Sequence, residues 1–197
     1  MTKLRKLLVT VLVLAILVLG LVGFFYFRHQ ASLAIFYDQS IGVSFAYDKG
    51  YQQHPAYVND STEIDPYTFY FQRNDPQAFL TVKYETGLAM PANILSMRVI
   101  DYVQYEMEQF FPVRYGPTYK SISTGVLKVA GKDAAENVFA YTDADGRPNE
   151  VRLVVIVWDN NSAYYFFEQS HQTLFDKIKG DLDPILKTLV LSGPKWK

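Results

Sequence analysis

The chain of 197 residues contains no cysteine and only three histidines, and these two shortages exclude several kinds of site. Without cysteine there is no disulfide framework, no thiolate zinc site and no thiol that could carry a lipid. His29, His54 and His171 are widely separated, and no pair has the His-x-x-x-His spacing of a zinc-binding helix. The sequence therefore indicates no metal-binding residue, no cofactor and no catalytic residue.

An excess of basic charge is also missing. Residues 1–27 hold three basic and no acidic residues, which leaves 16 basic against 20 acidic residues in the remainder, a net charge of −4. Nucleic-acid binding requires a basic stripe, so we expect no nucleic-acid partner. The remainder contains no internal repeat, low-complexity tract or long linker, and its length predicts a single domain.

What the sequence does contain is a long apolar run. Residues 7–27 read LLVTVLVLAILVLGLVGFFYF, 21 positions without a charge. A helix of this length is about 31 Å long, which matches the hydrocarbon core of a bilayer at about 30 Å. Lys3, Arg5 and Lys6 precede the run and only Arg28 closely follows it, so the positive-inside rule places the N-terminus in the cytoplasm.

This pattern predicts a single-pass protein of the plasma (inner) membrane. Its predicted segments are a cytoplasmic basic tip at 1–6, a transmembrane signal-anchor helix at 7–27, a short tether at 28–40 and an extracytoplasmic domain at 41–192. A cleaved signal peptide is the alternative, but its apolar stretch would be about 7–15 residues long, followed by small residues. The bulky Phe24-Phe25-Tyr26-Phe27 stands there instead, which favours the uncleaved anchor.

The domain reads as mostly β-structure. Residues 41–47 alternate large and small side chains at period two, which indicates a strand with one buried face. Further strands are predicted at 67–71, 80–85, 119–129, 135–142, 150–158 and 163–169, and the stretch 51–66 reads as a loop with a short strand near Tyr57. Residues 151–158 are apolar on nearly both faces, which predicts a central strand.

Prolines delimit the predicted helices. Pro91 is expected to begin a helix that Pro112 ends, with an apolar stripe at Leu95, Val99, Val103, Met107 and Phe110 and polar residues opposite, including Arg98 and Glu108. Near the C-terminus we expect a short helix to about Lys179 and a second one capped by Asp183. The sum is an α+β fold, in which an N-terminal transmembrane helix precedes one α/β/α sandwich with a largely antiparallel sheet.

Three segments resemble the PsbP/DcrB-like family. The stretch 37–47, Tyr-Asp-Gln-Ser-Ile-Gly-Val-Ser-Phe-Ala-Tyr, is similar to that family's first strand, and residues 129–134 resemble its mid-domain hairpin turn. Tyr164-Tyr165-Phe166 and residues 185–192 resemble its last strand and closing helix. Asp48 and Tyr51 depart from the family, which usually has Pro and often Trp there. The resemblance implies an α/β/α sandwich that serves as a non-enzymatic accessory or binding module.

Several polar groups invite a functional interpretation that the spacing does not support. Asp143, Asp145 and Gly146 begin like a calcium loop, but Val154 stands at the twelfth position, where a glutamate is required, so we expect a hairpin turn. Glu106 and Glu108 point in different directions on a helix, and we expect both on a solvated face. The tyrosines at 47, 51, 57, 67 and 70 read either as a contact surface or, preferably, as lining of the sheet and its core.

Three functions remain open at this point. The first is a non-catalytic extracytoplasmic accessory or binding module with a protein partner at the membrane surface. The second is an envelope hydrolase whose site is assembled from distant residues, because catalytic triads need not be local in sequence. The third is a structural subunit of a membrane complex. A deep pocket with convergent polar groups would favour the hydrolase, and a flat apolar patch would favour the first or the third.

Overall fold

The computed structural model describes residues 11–20, 32–57, 64–87, 99–159 and 161–195. The chain divides into two compact units, residues 1–34 and residues 35–197. In the first unit the described residues 11–20 are all helical (α1). Among the parts of the chain that the structure describes, no helix has the length and apolar character needed to span a membrane. Most of the predicted anchor at 7–27 lies outside the described residues.

Ten strands and four further helices follow within the described residues. They are β1 Leu33–Asp38, β2 Val43–Asp48, β3 Gln52–Tyr57, β4 Ile64–Asn74, β5 Gln77–Thr86, α2 Val99–Gln109, α3 Phe111–Tyr115, β6 Lys120–Val129, β7 Lys132–Thr142, β8 Pro148–Asp159, β9 Ser162–His171, α4 Gln172–Ile178, α5 Asp183–Thr188 and β10 Val190–Leu191. Every predicted strand is present. The short strand expected near Tyr57 is present as β3, and β4 begins at Ile64, so the loop interpretation is wrong for residues 64–66 and for the first residues of β3.

The larger of two sheets has seven strands in the order β3-β4-β5-β9-β8-β7-β6, and every neighbouring pair is antiparallel. The hairpin predicted at 129–134 joins β6 to β7 through Ala130 and Gly131, both at positive φ, as a two-residue type I′ turn requires. The pairing of β5 with β9 brings Lys83 opposite Tyr165. The largely antiparallel sheet predicted from the sequence is therefore confirmed.

Strand β8 lies inside this sheet and is buried on both faces, as its apolar sequence predicts. Val154 and Ile156 belong to the core on one face, and Val151, Leu153 and Val155 belong to the core on the other. Because successive side chains of a strand point to opposite faces, one apolar segment serves both cores.

The first face is covered by a three-stranded sheet, β1-β2-β10, together with α4 and α5. The opposite face is covered by α2 and α3, whose buried residues are Tyr102, Val103 and Phe111. The prediction of a single sheet is thus wrong, because a small second sheet shares a layer with the C-terminal helices. The layered α+β sandwich is confirmed.

Strand β1 corrects the predicted tether at 28–40 and the domain boundary at 41. Phe36 is 8% exposed, and its ring centroid lies 4.9 Å from that of Phe45 and 4.8 Å from that of Phe69. The folded domain therefore includes residues that the sequence reading assigned to the tether. A strand of six residues with one buried ring carries too weak a periodic signal to be recognised before its neighbours are known.

Two helix boundaries also differ from expectation. Helix α2 ends at Gln109, and Pro112 lies in the first turn of α3 instead of ending the longer helix. The expected start at Pro91 and the stripe residue Leu95 lie outside the described residues. Asp183 is the first residue of α5 and not its cap, since Leu182 occupies the capping position.

Candidate functional site

A pocket of about 620 Å³ lies between α2, α3 and the face of the large sheet that they cover. The sheet contributes Lys83 and Glu85 from β5 together with Tyr165 and Phe167 from β9. The helices and the junction between them contribute the remaining side chains: Tyr102, Tyr105, Glu106, Gln109, Phe110, Phe111, Val113 and Arg114. Six of these lining residues are aromatic, so the walls are largely apolar.

Helix α2 presents Glu106 to this pocket because of its position in the helical repeat. Val99 is three residues before Tyr102 and four before Val103, and Glu106 follows these two by four and three residues, which places all four on one face. Tyr102 and Val103 are buried, Glu106 is half-buried and Glu108 is exposed. The expectation of a solvated face is therefore right for Glu108 and wrong for Glu106.

Two tyrosine hydroxyls converge on the Glu106 carboxylate. The Tyr102 hydroxyl, one helical turn away, donates to Oε1 at 2.6 Å. The Tyr165 hydroxyl, from the neighbouring strand, lies 3.0 Å from that of Tyr102 and 3.4 Å from Glu106 Oε2. The first bond is short, as expected for a charged acceptor, and the bonds from Tyr165 are long.

Burial governs the ionisation of this cluster. It raises the pKa of Glu106 above 4.5, and it outweighs the hydrogen bond from Tyr102, which favours the carboxylate. Burial also raises the pKa values of Tyr102 and Tyr165, so both phenols are neutral donors at physiological pH. The site thus combines one partly desolvated carboxyl group with two hydroxyl groups in an aromatic wall.

The cations that line the pocket are engaged elsewhere. Lys83 Nζ lies 2.9 Å from Glu85 Oε2 on the same strand. The guanidinium of Arg114, an exposed residue, lies over the ring of Tyr115, 5.7 Å from its centroid. In the described part of the chain, no lysine, arginine or histidine forms an ion pair with Glu106.

A second group of charged side chains lies on the opposite face of the sheet. Arg152 bonds Glu136 at 2.6 Å and Asp183 at 2.8 Å, and it lies 3.7 Å from the buried carboxylate of Glu168. These contacts tie α5 to the sheet. Asp183, expected as a helix cap, serves in this network instead, which indicates a structural role for the group.

The other candidate residues do not come together. Asp143 Oδ1 accepts from the backbone N–H groups of Asp145 and Arg147, which is the predicted hairpin turn. His171 caps α4 through its ring nitrogen, His54 is exposed on β3, and His29 lies outside the described residues. Among the described residues, no three histidine, aspartate or glutamate side chains are arranged to hold a metal ion.

The tyrosines of the first third of the domain divide between core and surface. Tyr51 is buried, and Tyr47 and Tyr67 pack against the core, which confirms the preferred interpretation for these three. Tyr57 is 55% exposed. None of the five lines the pocket. Tyr102 and Tyr165 do line it, and the sequence analysis assigns neither of them to a site. The one available signal was that Glu106 continues the apolar stripe of its helix.

The sequence matches no protein-family model and no curated protein. Among solved structures, CyanoP, the cyanobacterial PsbP of Synechocystis, is 14% identical with a TM-score of 0.55, over 82% of this chain and 93% of that one. LpqN, which is involved in cell envelope biogenesis of Mycobacterium tuberculosis, is 10% identical with a TM-score of 0.54, over 82% and 91%. The Ran-binding protein Mog1p of Saccharomyces cerevisiae is 5% identical with a TM-score of 0.53, over 82% and 96%.

Likeness at these low identities concerns the fold. It agrees with the resemblance seen in residues 37–47, 129–134 and 185–192, which fall in β2 with the turn before it, in the β6–β7 hairpin, and in α5 with β10. The folded unit of this chain therefore has a PsbP-like fold.

Proposed function

We propose that this protein is a membrane-anchored, extracytoplasmic and non-catalytic binding module, and that the pocket beneath α2 and α3 is its binding site. The pocket is the observation that carries the proposal. Its volume of about 620 Å³ falls within the range of roughly 300–1,000 Å³ that is typical of ligand sites. Aromatic walls with a few convergent polar groups are also typical of such sites.

The neighbouring structures support a binding role in general terms. Mog1p is a Ran-binding protein, so this fold serves there to bind another molecule. LpqN is involved in cell envelope biogenesis, which fits a role at the envelope. A protein partner at the membrane surface accordingly remains part of the proposal.

Membrane anchoring is supported by the sequence of residues 7–27 and by α1. The large apolar side chains of residues 11–20 are between 49% and 71% exposed. A helix that is apolar on all sides needs an apolar environment, because exposing such surface to water is unfavourable. A bilayer supplies that environment.

The topology can be tested directly because the chain has no natural cysteine. Single cysteines would be placed at Thr2 and at Asp176, whose side chain is 88% exposed, and intact cells treated with an impermeant thiol reagent. We expect labelling at position 176 and not at position 2. The reverse pattern, or labelling at neither position until the cells are lysed, would contradict an extracytoplasmic domain.

The pocket can be tested by what co-purifies with the full chain from mild detergent. Phe110→Ser removes a half-exposed ring from the pocket, and Val126→Ser removes a similarly exposed side chain from strand β6, outside the pocket. We expect a protein or an extractable small molecule that is enriched with wild type and Val126→Ser and depleted with Phe110→Ser. Identical profiles for all three would count against the pocket as the binding site.

A hydrolase is the second candidate, because a carboxyl group with a raised pKa lies in a pocket. The described lining residues include no serine, cysteine or histidine, so no Ser–His or Cys–His pair is assembled there. Hydrolysis of chromogenic esters or glycosides that Glu106→Gln abolishes would favour this candidate over the binding module.

A further inference from the structure

The Glu106 carboxylate retains capacity to accept hydrogen bonds inside the pocket. A carboxylate offers about four lone-pair sites. Tyr102 fills one of them with a bond of 2.6 Å to Oε1, whereas Oε2 receives only the long contact of 3.4 Å from Tyr165. A partly desolvated carboxylate with an under-occupied oxygen is a site for an additional donor.

Among the described residues, no lysine, arginine or histidine lies within ion-pair distance of this carboxylate. Lys83 is paired with Glu85, and Arg114 is exposed and stacked on Tyr115. Arg114 lowers the pKa of Glu106, but burial raises it more. The pocket therefore contains a carboxylate that no described cation contacts directly, because Lys83 is paired with Glu85 and Arg114 lies over Tyr115.

The walls beside Glu106 favour a positive charge as well. The rings of Tyr105 and Phe110 meet edge to face with centroids 5.9 Å apart, and Tyr165 and Phe167 stack with centroids 6.3 Å apart. The faces of aromatic rings attract cations, most strongly where water is partly excluded. A carboxylate and several aromatic rings line this one pocket, a combination complementary to a group that is both positively charged and apolar.

We propose that this pocket binds a small organic cation, with an ammonium group beside Glu106 and an apolar body against Phe110 and Phe167. This inference rests on the proposed function, because it names the ligand class of the same site. The ammonium group donates to Glu106 Oε2, and the apolar body fills the part of the pocket that is lined by rings.

Three probes of nearly equal shape test the charge requirement. They are 4-phenylbutylamine, 4-phenylbutan-1-ol and 4-phenylbutyrate, titrated calorimetrically into the full chain in an uncharged maltoside detergent, with detergent alone as the blank. We expect the amine to bind at least about tenfold more tightly than the alcohol, the order of one charge-assisted hydrogen bond, and the carboxylate to bind most weakly.

Variants then locate the interaction. Glu106→Gln keeps the shape of the side chain and should bring the amine to the affinity of the alcohol, whereas Glu108→Gln, on the exposed side of the same helix, should behave as wild type. Phe110→Ser should weaken all three probes, since it removes part of the apolar wall without changing the charge. Its half-exposed position makes unfolding a minor concern.

The outcomes separate this inference from the function on which it rests. Tightest binding of the carboxylate would overturn the inference and indicate that Lys83 and Arg114 recruit an anion, while the pocket would remain a binding site. Equal binding of the three probes, or undiminished binding of the amine by Glu106→Gln, would overturn it in the same way. Binding of none would overturn it too, and the co-purification experiment would then decide whether the pocket binds anything.

Discussion

The buried carboxyl group of Glu168 should make the stability of the domain depend on pH. Its side chain is fully buried and accepts hydrogen bonds from the backbone N–H groups of Leu182 at 3.1 Å and Gly180 at 3.3 Å. Burial nevertheless dominates and raises the pKa from its usual 4.5 to about 7. Arg152 lowers the pKa of Glu168 only in part, because its Nη1 lies 3.7 Å from Glu168 Oε2 and its guanidinium also bonds Glu136 and Asp183.

The direction and size of the effect follow from linkage. Between pH 4.5 and pH 7 the folded state binds a proton that the unfolded state has released, so the free energy of unfolding falls as pH rises. The stabilisation is complete below pH 4.5 and lost as pH rises through 7. One pKa unit corresponds to about 1.4 kcal/mol, so this group alone should remove about 2–3 kcal/mol between pH 5 and pH 8.

The variant Glu168→Gln isolates this contribution, because glutamine resembles the protonated acid in shape and hydrogen bonding. Thermal unfolding followed by circular dichroism at pH 5 and pH 8 measures it. At roughly 2–4 °C per kcal/mol for a domain of this size, we expect the variant to match wild type at pH 5 and to melt about 5–10 °C higher at pH 8.

Glu108→Gln, an exposed carboxylate, should keep the wild-type profile. Burial also raises the pKa values of Glu106 and Asp181, so some slope remains in every variant. If Glu168→Gln melted below wild type at pH 8 and equally at pH 5, the backbone hydrogen bonds to the anion would outweigh its desolvation, and the reasoning would fail.

Three further predictions concern the fold, each measured by chemical denaturation. Phe36→Ala should lower the free energy of unfolding by about 3–5 kcal/mol, because a buried ring is lost. The adjacent Tyr37→Ala, at a position 65% exposed, should lower it by about 0.5 kcal/mol or less. Equal losses would contradict the packing of β1 against the core. Gly42→Ala should be strongly destabilising, since φ is +63° and the added Cβ would overlap the carbonyl group of Gly193. The control Gly87→Ala has a similar φ of +69° but open space around it, so it should lose less stability. Similar losses in both variants would show that strain at positive φ, and not the close approach to Gly193, causes the destabilisation. Val155→Asp should lower the free energy of unfolding by several kcal/mol, because it buries an unpaired carboxylate in the sheet. A variant as stable as wild type would refute the central position of β8.

Elements whose signals are local can be predicted from the sequence. The apolar residues 151–158 indicated a strand buried on both faces, and the alternation in 41–47 indicated one with a single buried face. The turn at 129–134 was recognised from the family resemblance, and Gly131 there has positive φ; the turn at Asp143 is local because its carboxylate accepts from the backbone of the next residues. These features depend on a few neighbouring residues, which a linear sequence displays.

Which polar groups are buried and which strands pair depends on contacts between distant segments of the chain. Glu106 continues the apolar stripe of α2, but the sequence does not show that Tyr165, 59 residues away, supplies a second hydroxyl group beside it. Asp183, expected to cap α5, is instead the first residue of that helix and accepts a hydrogen bond from Arg152 of the sheet. Strand β1 has little periodic signal of its own and is held by rings from β2 and β4. Burial and pairing of this kind are properties of distant segments brought together, so no local pattern contains them.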